Sequence, residues 1–320
     1  MSRLPRIVCI SANPALDRRL RLSSLSPGAV HRARSVEALP GGKAAHVAMA
    51  VRALGADAVW IGFLGGAVGE ECAVQFGMLG IEVIPVPTKA TTRLNFELIE
   101  DSKRVTEVLE PGGTPSEPER KHMLDILAHA LGRKWKGALV VISGSLPQDV
   151  PPSFYASLIG LARSCGSRVY LDTSGEALAA GLQARPDFVK PNRGEAELLL
   201  NRSLPDVPSA ELAVRALADR GAISAAITLG VEGLVWVARK GGAALAARAP
   251  ELRPDSTVGC GDATLGGFAF AAASGMTGEA AVRLATACGA ANCFAKHIAQ
   301  ISRQVVDSLV PQIEIHRLPI

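Results

Sequence analysis

Aromatic residues are scarce in this chain of 320: three Trp, two Tyr and eight Phe. A core with so few large rings must be filled by Ala, Val, Leu and Gly, which suits helices packed closely on a parallel sheet. Charge of one sign is also short. Lys and Arg number 34 against 30 Asp and Glu, a net +4. That excess is too small to point to nucleic acid, though it leaves room for a local basic pocket around an anionic small molecule. The six cysteines (Cys9, Cys72, Cys165, Cys260, Cys288, Cys293) form no CxxC pair and no metal spacing, so free thiols are expected. No apolar run approaches a membrane span, because Gly and charges interrupt the Ala-rich stretches, and no membrane partner is expected. The opening MSRLPRIVCIS enters an apolar strand directly, without the long apolar core and cleavage site of a signal peptide. The expected location is the cytoplasm. A GxGxxG after the first strand is missing too, which argues against a dinucleotide-binding opening.

What is present centres on Ser256-Thr257-Val258-Gly259-Cys260-Gly261-Asp262-Ala263-Thr264, followed by an Ala/Gly-rich apolar run to Ala273 that reads as a buried helix. Glycines before a helix let the backbone turn several N–H groups toward one point, an anion site reinforced by the helix dipole. A carboxylate there would repel a bound anion. It makes sense if Asp262 takes a proton from a hydroxyl while the N–H groups stabilise the phosphoryl group that hydroxyl attacks. A helix-capping Asp after a Gly-rich turn is the plainer reading, and this stretch alone leaves both standing.

Elsewhere, the strand over 6–11 ends in Asn13-Pro14-Ala15-Leu16-Asp17, where Asn-Pro starts a turn and sets Asp17 just past a strand's carboxyl end. Alternation over 20–39 reads as short exposed strands, and Gly41-Gly42-Lys43 opens a helix over 44–54. A strand (58–64), a helix (70–79) and a strand (82–86) precede an alternating hairpin over 92–99 and 105–109, which carries Arg93. One face of the hairpin is polar, so it belongs with the 20–39 strands in a second sheet or lid; Arg93 reads as a cross-strand charge, and its guanidinium fork also suits a phosphate or a sugar hydroxyl pair. Buried apolar strands then alternate with helices, which predicts a parallel sheet. These strands end in Ser143-Gly144-Ser145-Leu146-Pro147, Pro191-Asn192-Arg193-Gly194-Glu195 and Thr228-Leu229-Gly230-Val231-Glu232-Gly233. Asn192 and Glu195 have capping-box spacing and also suit a hydrated Mg²⁺ beside nucleotide phosphates. A Gly/Ala-rich turn after the strand over 234–238 and two closing helices complete the pattern. No linker divides the chain, so residues 1–320 read as one domain with a lid from about 18–40 and 91–110.

Taken in order, NPALD, GGK before a helix, TRLN on a hairpin, SGSLP, LDTSGEAL, VKPNRGEAE, TLGVEG and STVGCGD resemble the PfkB branch of the ribokinase-like carbohydrate kinases over essentially the whole chain. The resemblance implies an α/β fold, a doubly wound and mostly parallel sheet with helices on both faces and a small β-sheet lid. It implies ATP and Mg²⁺, leaves a monovalent cation open, and implies a homodimer through the lid. Asp262 would be the base and Gly259, Cys260 and Gly261 the anion hole. Asp17, Gly42, Lys43, His46, Arg93 and Ser145 would hold a sugar phosphate, with Lys43 and Arg93 near its existing phosphate and Arg32 helping from the lid. Lys190, Asn192, Thr228, Gly230 and Gly233 would line the nucleotide, with Asn192 and Glu195 toward the metal. The implied reaction is ATP-dependent phosphorylation of a ketohexose phosphate (fructose 1-phosphate, tagatose 6-phosphate or fructose 6-phosphate) to a bisphosphate.

Three positions depart from the family pattern. The usual GGKGIN reads Gly41-Gly42-Lys43-Ala44-Ala45-His46 here. Ala44 puts a methyl where glycine allows close approach, and His46 replaces an asparagine with a bulkier group that can carry charge. A sugar phosphate of altered hydroxyl pattern and the usual substrate with tolerated changes both fit. Cys260 stands where alanine is common; a thiol at a helix N-terminus invites a lowered pKa, against a silent small residue. The rival functions are a neutral-sugar or nucleoside kinase, opposed by two cations lacking anionic partners, and a catalytically silent sugar-phosphate sensor.

Overall fold

The first strand, Ile7–Ser11, is buried along its whole length, and its alternate side chains enter two different cores: Ile7 and Cys9 one, Val8 and Ile10 the other. Such a strand must be covered on both faces, and the chain does so with helices. The computed structural model describes residues 6–252 and 256–319. In chain order the first elements are β1 (Ile7–Ser11), β2 (Ala15–Leu22), β3 (Ser35–Gly41), α1 (Lys43–Ala53), β4 (Ala58–Leu64), α2 (Gly66–Met78), β5 (Glu82–Pro87), β6 (Arg93–Glu100) and β7 (Val105–Leu109). There follow α3 (Glu117–Gly132), β8 (Leu139–Ser143), α4 (Ser153–Ser164), β9 (Arg168–Asp172), α5 (Gly175–Gln183), β10 (Phe188–Val189), α6 (Arg193–Leu200) and α7 (Val207–Asp219). The last are β11 (Ser224–Thr228), β12 (Leu234–Val237), β13 (Ala244–Arg248), α8 (Cys260–Ala273), α9 (Gly278–Asn292), α10 (Arg303–Leu309) and β14 (Glu314–Leu318).

The main sheet has ten strands in the order β14-β13-β12-β11-β10-β9-β8-β1-β4-β5. It is parallel from β11 to β5, with an antiparallel extension at the other edge. α1, α2, α8, α9 and α10 cover one face and α3 to α7 the other. The strand order reverses direction across β1 and β8, which places the carboxyl ends of β1, β8, β9 and β10 around one crevice. None of the helices among the described residues is long and apolar enough to cross a membrane.

The second sheet, β3-β2-β6-β7, is built on the parallel pair β2/β6. Its two faces are unlike. Asp17, Arg19, Asn95 and Glu97 share one face and are buried against the body of the protein. Leu20, Val36, Phe96, Leu98 and Val108 occupy the other and are exposed or half-exposed. This inversion, charge inside and hydrocarbon outside, marks a sheet whose inner face serves a polar site.

Several expectations are corrected. Asp17 lies within strand β2, not in a turn, because Ala15–Leu22 pairs on both sides with β3 and β6. α2 starts at Gly66 rather than at 70, since the glycine-rich start packs where side chains would overlap: a methyl on Gly65 would meet the Ala90 and Thr88 carbonyls. The Gly/Ala-rich stretch after β12 contains strand β13, and the chain ends in β14. ALAAR has no β-branched residue, so tertiary pairing with β12 and β14 overrides weak strand propensity.

Candidate active site

Gly259 caps α8 from the left-handed region, φ 79°, and a methyl there would also overlap Ile298. The helix then begins at Cys260, which puts Asp262, buried, in its first turn. α1 also follows a glycine of positive φ, Gly42 at 84°, though with extended ψ. The two helices pack so closely that a methyl on Gly266 would overlap the Ala50 side chain. With both N-termini at one end, residues of their first turns meet. His46 Nδ1 lies 2.8 Å from Asp262 Oδ2, and Nε2 lies 3.1 Å from Asp17 Oδ2. Asn95 Nδ2 donates to the other Asp17 oxygen at 2.8 Å. Burial opposes charge on the ring, but hydrogen bonds and charges from Asp17 and Asp262 outweigh it and push His46 up to about 10.

Beside this group sits a cluster of opposite charges. Lys43 Nζ is 3.0 Å from Glu195 Oε1 and 3.6 Å from Asp172 Oδ1, and Lys190 Nζ is 3.4 Å from Asp172 Oδ2. Asp172 above all, with Glu195 and Asp262, raises Lys43 above the usual lysine range against its partial burial. A methyl on Gly261 would lie 3.5 Å from Lys190 Nζ, so that ammonium stands beside the first turn of α8. Asn192 and Glu195 form the capping box of α6: Glu195 N donates to Asn192 Oδ1 and Asn192 N to Glu195 Oε2, each at 2.9 Å. Thr228, at the end of β11, is bridged to Asn192. Gly230 has φ 66° with open space around it, whereas Gly233 has φ 91° and a methyl there would overlap the Ala247 carbonyl. Packing on β13 therefore requires glycine at 233, whatever binds nearby.

The remaining site residues fall at the base of the lid. Arg93 donates to the carbonyls of Glu110 at 2.8 Å and Asn13 at 3.2 Å, and its buried Nε has no partner. Its hydrogen bonds go to main-chain oxygens, while the carboxylates of Asp17 and Glu110 act on it through charge alone, and it lines a cavity with Asn13, Thr88, Thr91 and Gly113. Asn13 Nδ2 donates to the exposed Ser145 Oγ at 3.3 Å. Arg32 lies exposed in the β2–β3 connection without a hydrogen bond or ion pair to the others, and the structure does not bring it into the cluster. Of the two cations read as lacking anionic partners, Lys43 is held by two carboxylates, and Arg93 makes no hydrogen bond to a carboxylate though Asp17 and Glu110 act on its charge. The Ala44 methyl is buried in the core under α1 and is not presented to a ligand.

Cys260 has a neighbour that local sequence did not announce. Its sulfur lies 3.7 Å from that of Cys293, and Asn292 Nδ2 approaches it at 3.4 Å. The Cys260 contact pulls Cys293 down to about 7, and the same contact with burial pushes Cys260 up. The Cys293 contact and burial thus raise the Cys260 thiol, against the lowered pKa expected at a helix N-terminus.

Asn95, Asp172 and Gly41 stand inside the motifs TRLN, LDTSGEAL and GGK, none of which gives them a task of their own. Asp172 carried a usable signal, being an acid at the end of an apolar parallel strand. Asn95 did not, because its partner Asp17 is 78 residues away.

A profile of the pfkB family of carbohydrate kinases matches residues 6–302. The chain is 37% identical over 286 residues to the 1-phosphofructokinase of Xanthomonas campestris pv. campestris, covering 88% of each chain. It is 32% identical over 314 residues to that of Escherichia coli (strain K12), covering 97% of this chain and 98% of the relative. Phosphofructokinase-2 from E. coli superposes with a TM-score of 0.89 in its potassium complex and 0.87 in its fructose-6-phosphate complex, both at 27% identity over 96% of this chain and 98% of the other. The fold is the ribokinase-like one, and the chain belongs to the pfkB family of carbohydrate kinases.

Proposed function

We propose that this chain transfers the terminal phosphoryl group of ATP to a hydroxyl of a phosphorylated ketohexose, giving a bisphosphate, with Asp262 accepting the hydroxyl's proton. The observation that carries the proposal is the polar face of the lid. Asp17 and Asn95 pair in register beside the His46–Asp262 contact, and Arg93 lies two residues back along the same face of β6. That step is about 7 Å along a strand, comparable to the reach from a sugar hydroxyl to a phosphate on the same hexose. A neutral sugar would leave the buried Nε of Arg93 without a hydrogen-bond partner. The curated relatives named 1-phosphofructokinase make fructose 1-phosphate the first acceptor to test.

The residues suit a nucleotide phosphate. Lys190, Lys43 and the N–H groups of 259–261 supply donors, and phosphoryl transfer depends mainly on alignment and charge neutralisation. No cluster of three or more metal-binding side chains occurs among the described residues. Mg²⁺ is commonly held through phosphate oxygens, water and one or two carboxylates, and Glu195 and Asn192 are the residues suited to face that hydration shell. When bound, the ion would neutralise charge on the phosphates. Lys190, Thr228, Gly230 and Gly233 are proposed along the nucleotide, with potassium as the monovalent cation to include in assays.

ADP release from Mg·ATP across sugar phosphates, free sugars and nucleosides tests the reading. Turnover with a ketohexose phosphate alone is expected. Turnover only with neutral acceptors would remove the phosphate role of Arg93, and sugar-phosphate binding without turnover would favour a sensor.

The outward apolar face supports a homodimer through the lid. Val36 and Val108 are 54% and 52% exposed and belong to neither buried core, so charges placed there leave both cores intact. The combined Val36→Glu, Val108→Glu variant is expected to sediment as a monomer where the parent sediments as a dimer; a monomeric parent would end the idea.

A further inference from the structure

We propose that His46 is a doubly protonated clamp that positions the base Asp262 and the sugar-binding Asp17 against each other. The proposal rests on the kinase reading above and deepens it. Each ring nitrogen faces a carboxylate oxygen, at 2.8 and 3.1 Å. A neutral imidazole has one N–H and one lone pair, and would turn that lone pair on a carboxylate; the imidazolium offers a donor to each. The two acids come from different parts of the fold, α8 and the lid strand β2, so the ring ties lid to core. An asparagine, usual at this position in the family, has an NH₂ on one side only and would aim its carbonyl at one of the acids.

The surroundings hold the ring in place. Lys43 precedes it by a turn on α1 and is itself held by Asp172 and Glu195. β2 brings Asp17 and Arg19, and β6 brings Asn95 and Glu97; Arg19 and Glu97 pair at 3.0 Å in the cavity that His46 lines. Glu107 faces it from β7 through charge. The folded-state value of about 10 lies above the ordinary 6.5. The clamp's contribution to stability is therefore whole below pH 6.5 and lost as pH rises through about 10.

In the reaction the ring keeps its protons. It takes Asp262 Oδ2 and leaves the other carboxylate oxygen for the acceptor hydroxyl. The O–H bond breaks toward Asp262, the hydroxyl oxygen bonds to the transferred phosphorus, and ADP leaves. Because Asp17 is fixed by the same ring, the bound hydroxyl and the reacting hydroxyl are held at one separation. His46 is thus a positioning residue.

Two measurements test this. Nitrogen-15 NMR of the ligand-free protein should show both His46 nitrogens protonated at about pH 8 and a midpoint near 10 that falls in Asp262→Asn. A wild-type midpoint near 6.5 would overturn the clamp whether or not the chain is a kinase. Kinetically, His46→Ala should lower kcat about 100-fold with the KM for ATP unmoved, and His46→Asn should recover part of it. The wild-type alkaline limb with a midpoint near 10 should be absent in His46→Asn. An alkaline limb unchanged in His46→Asn, or wild-type kcat in His46→Ala, would overturn the proposal. A doubly protonated ring in a chain that turns over no sugar phosphate would support the clamp and sink the kinase reading.

Discussion

Asp262→Asn is expected to lower turnover about 100- to 10,000-fold, the usual share of a positioned general base. The amide matches the carboxylate in shape, and its oxygen can still accept from His46 Nδ1, so the contact between α1 and α8 survives. What it cannot do is take the acceptor's proton. Asp262 is buried in the first turn of α8, and the other acids of the cluster are engaged, Asp172 by Lys43 and Lys190 and Asp17 by His46 and Asn95. ADP release at saturating substrate, with the melting temperature as a control for folding, measures the effect. A variant that keeps more than a tenth of parental turnover would mean the base is another group.

Gly41→Ala is expected to raise the KM for the sugar phosphate and leave that for ATP close to parental. Gly41 ends β3 opposite Ala15, and a methyl there would occupy the space of the Asp17 carboxylate. Asp17 cannot yield without losing Asn95 at 2.8 Å and His46 at 3.1 Å. Each hydrogen bond to a charged group is worth about 1.5–3 kcal/mol, so loss of a properly placed Asp17 corresponds to roughly a tenfold to hundredfold rise in acceptor KM or more. The atoms that a methyl on Gly41 would meet belong to Asp17, not to Lys190 or Asn192 on the proposed nucleotide side. Parental acceptor KM in Gly41→Ala would show that Asp17 does not hold the sugar, and an equal loss for both substrates would show a general distortion.

The predicted elements and the folded ones agree wherever the deciding signal was local. Continuous apolar runs such as IVCIS and LVVIS require cover on both faces, and alternation over 93–109 requires a sheet of its own; each is a property of a few adjacent residues. The capping box at Asn192 and Glu195 was legible for the same reason, with both halves three residues apart. β13 was not, since ALAAR becomes a strand only when β12 and β14 flank it. Asp17 read as a turn residue because Asn-Pro is a turn signal, but pairing with β3 and β6 draws it into a strand.

The site divides along the same line. By itself the sequence determined that Gly259 and Gly261 bracket a helix start carrying Asp262, that Gly42 and Lys43 open another, and that the motifs stand in the order of the pfkB carbohydrate kinases. Which of these groups neutralise one another was decided only by the tertiary structure. His46 and Asp262 are 216 residues apart, Lys43 and Glu195 152, and Cys260 and Cys293 33. Charge, hydrogen bonding and thiol ionisation act over a few ångströms, and no periodicity along a chain reports distances between residues that meet only when two helices pack and a lid sheet closes over them.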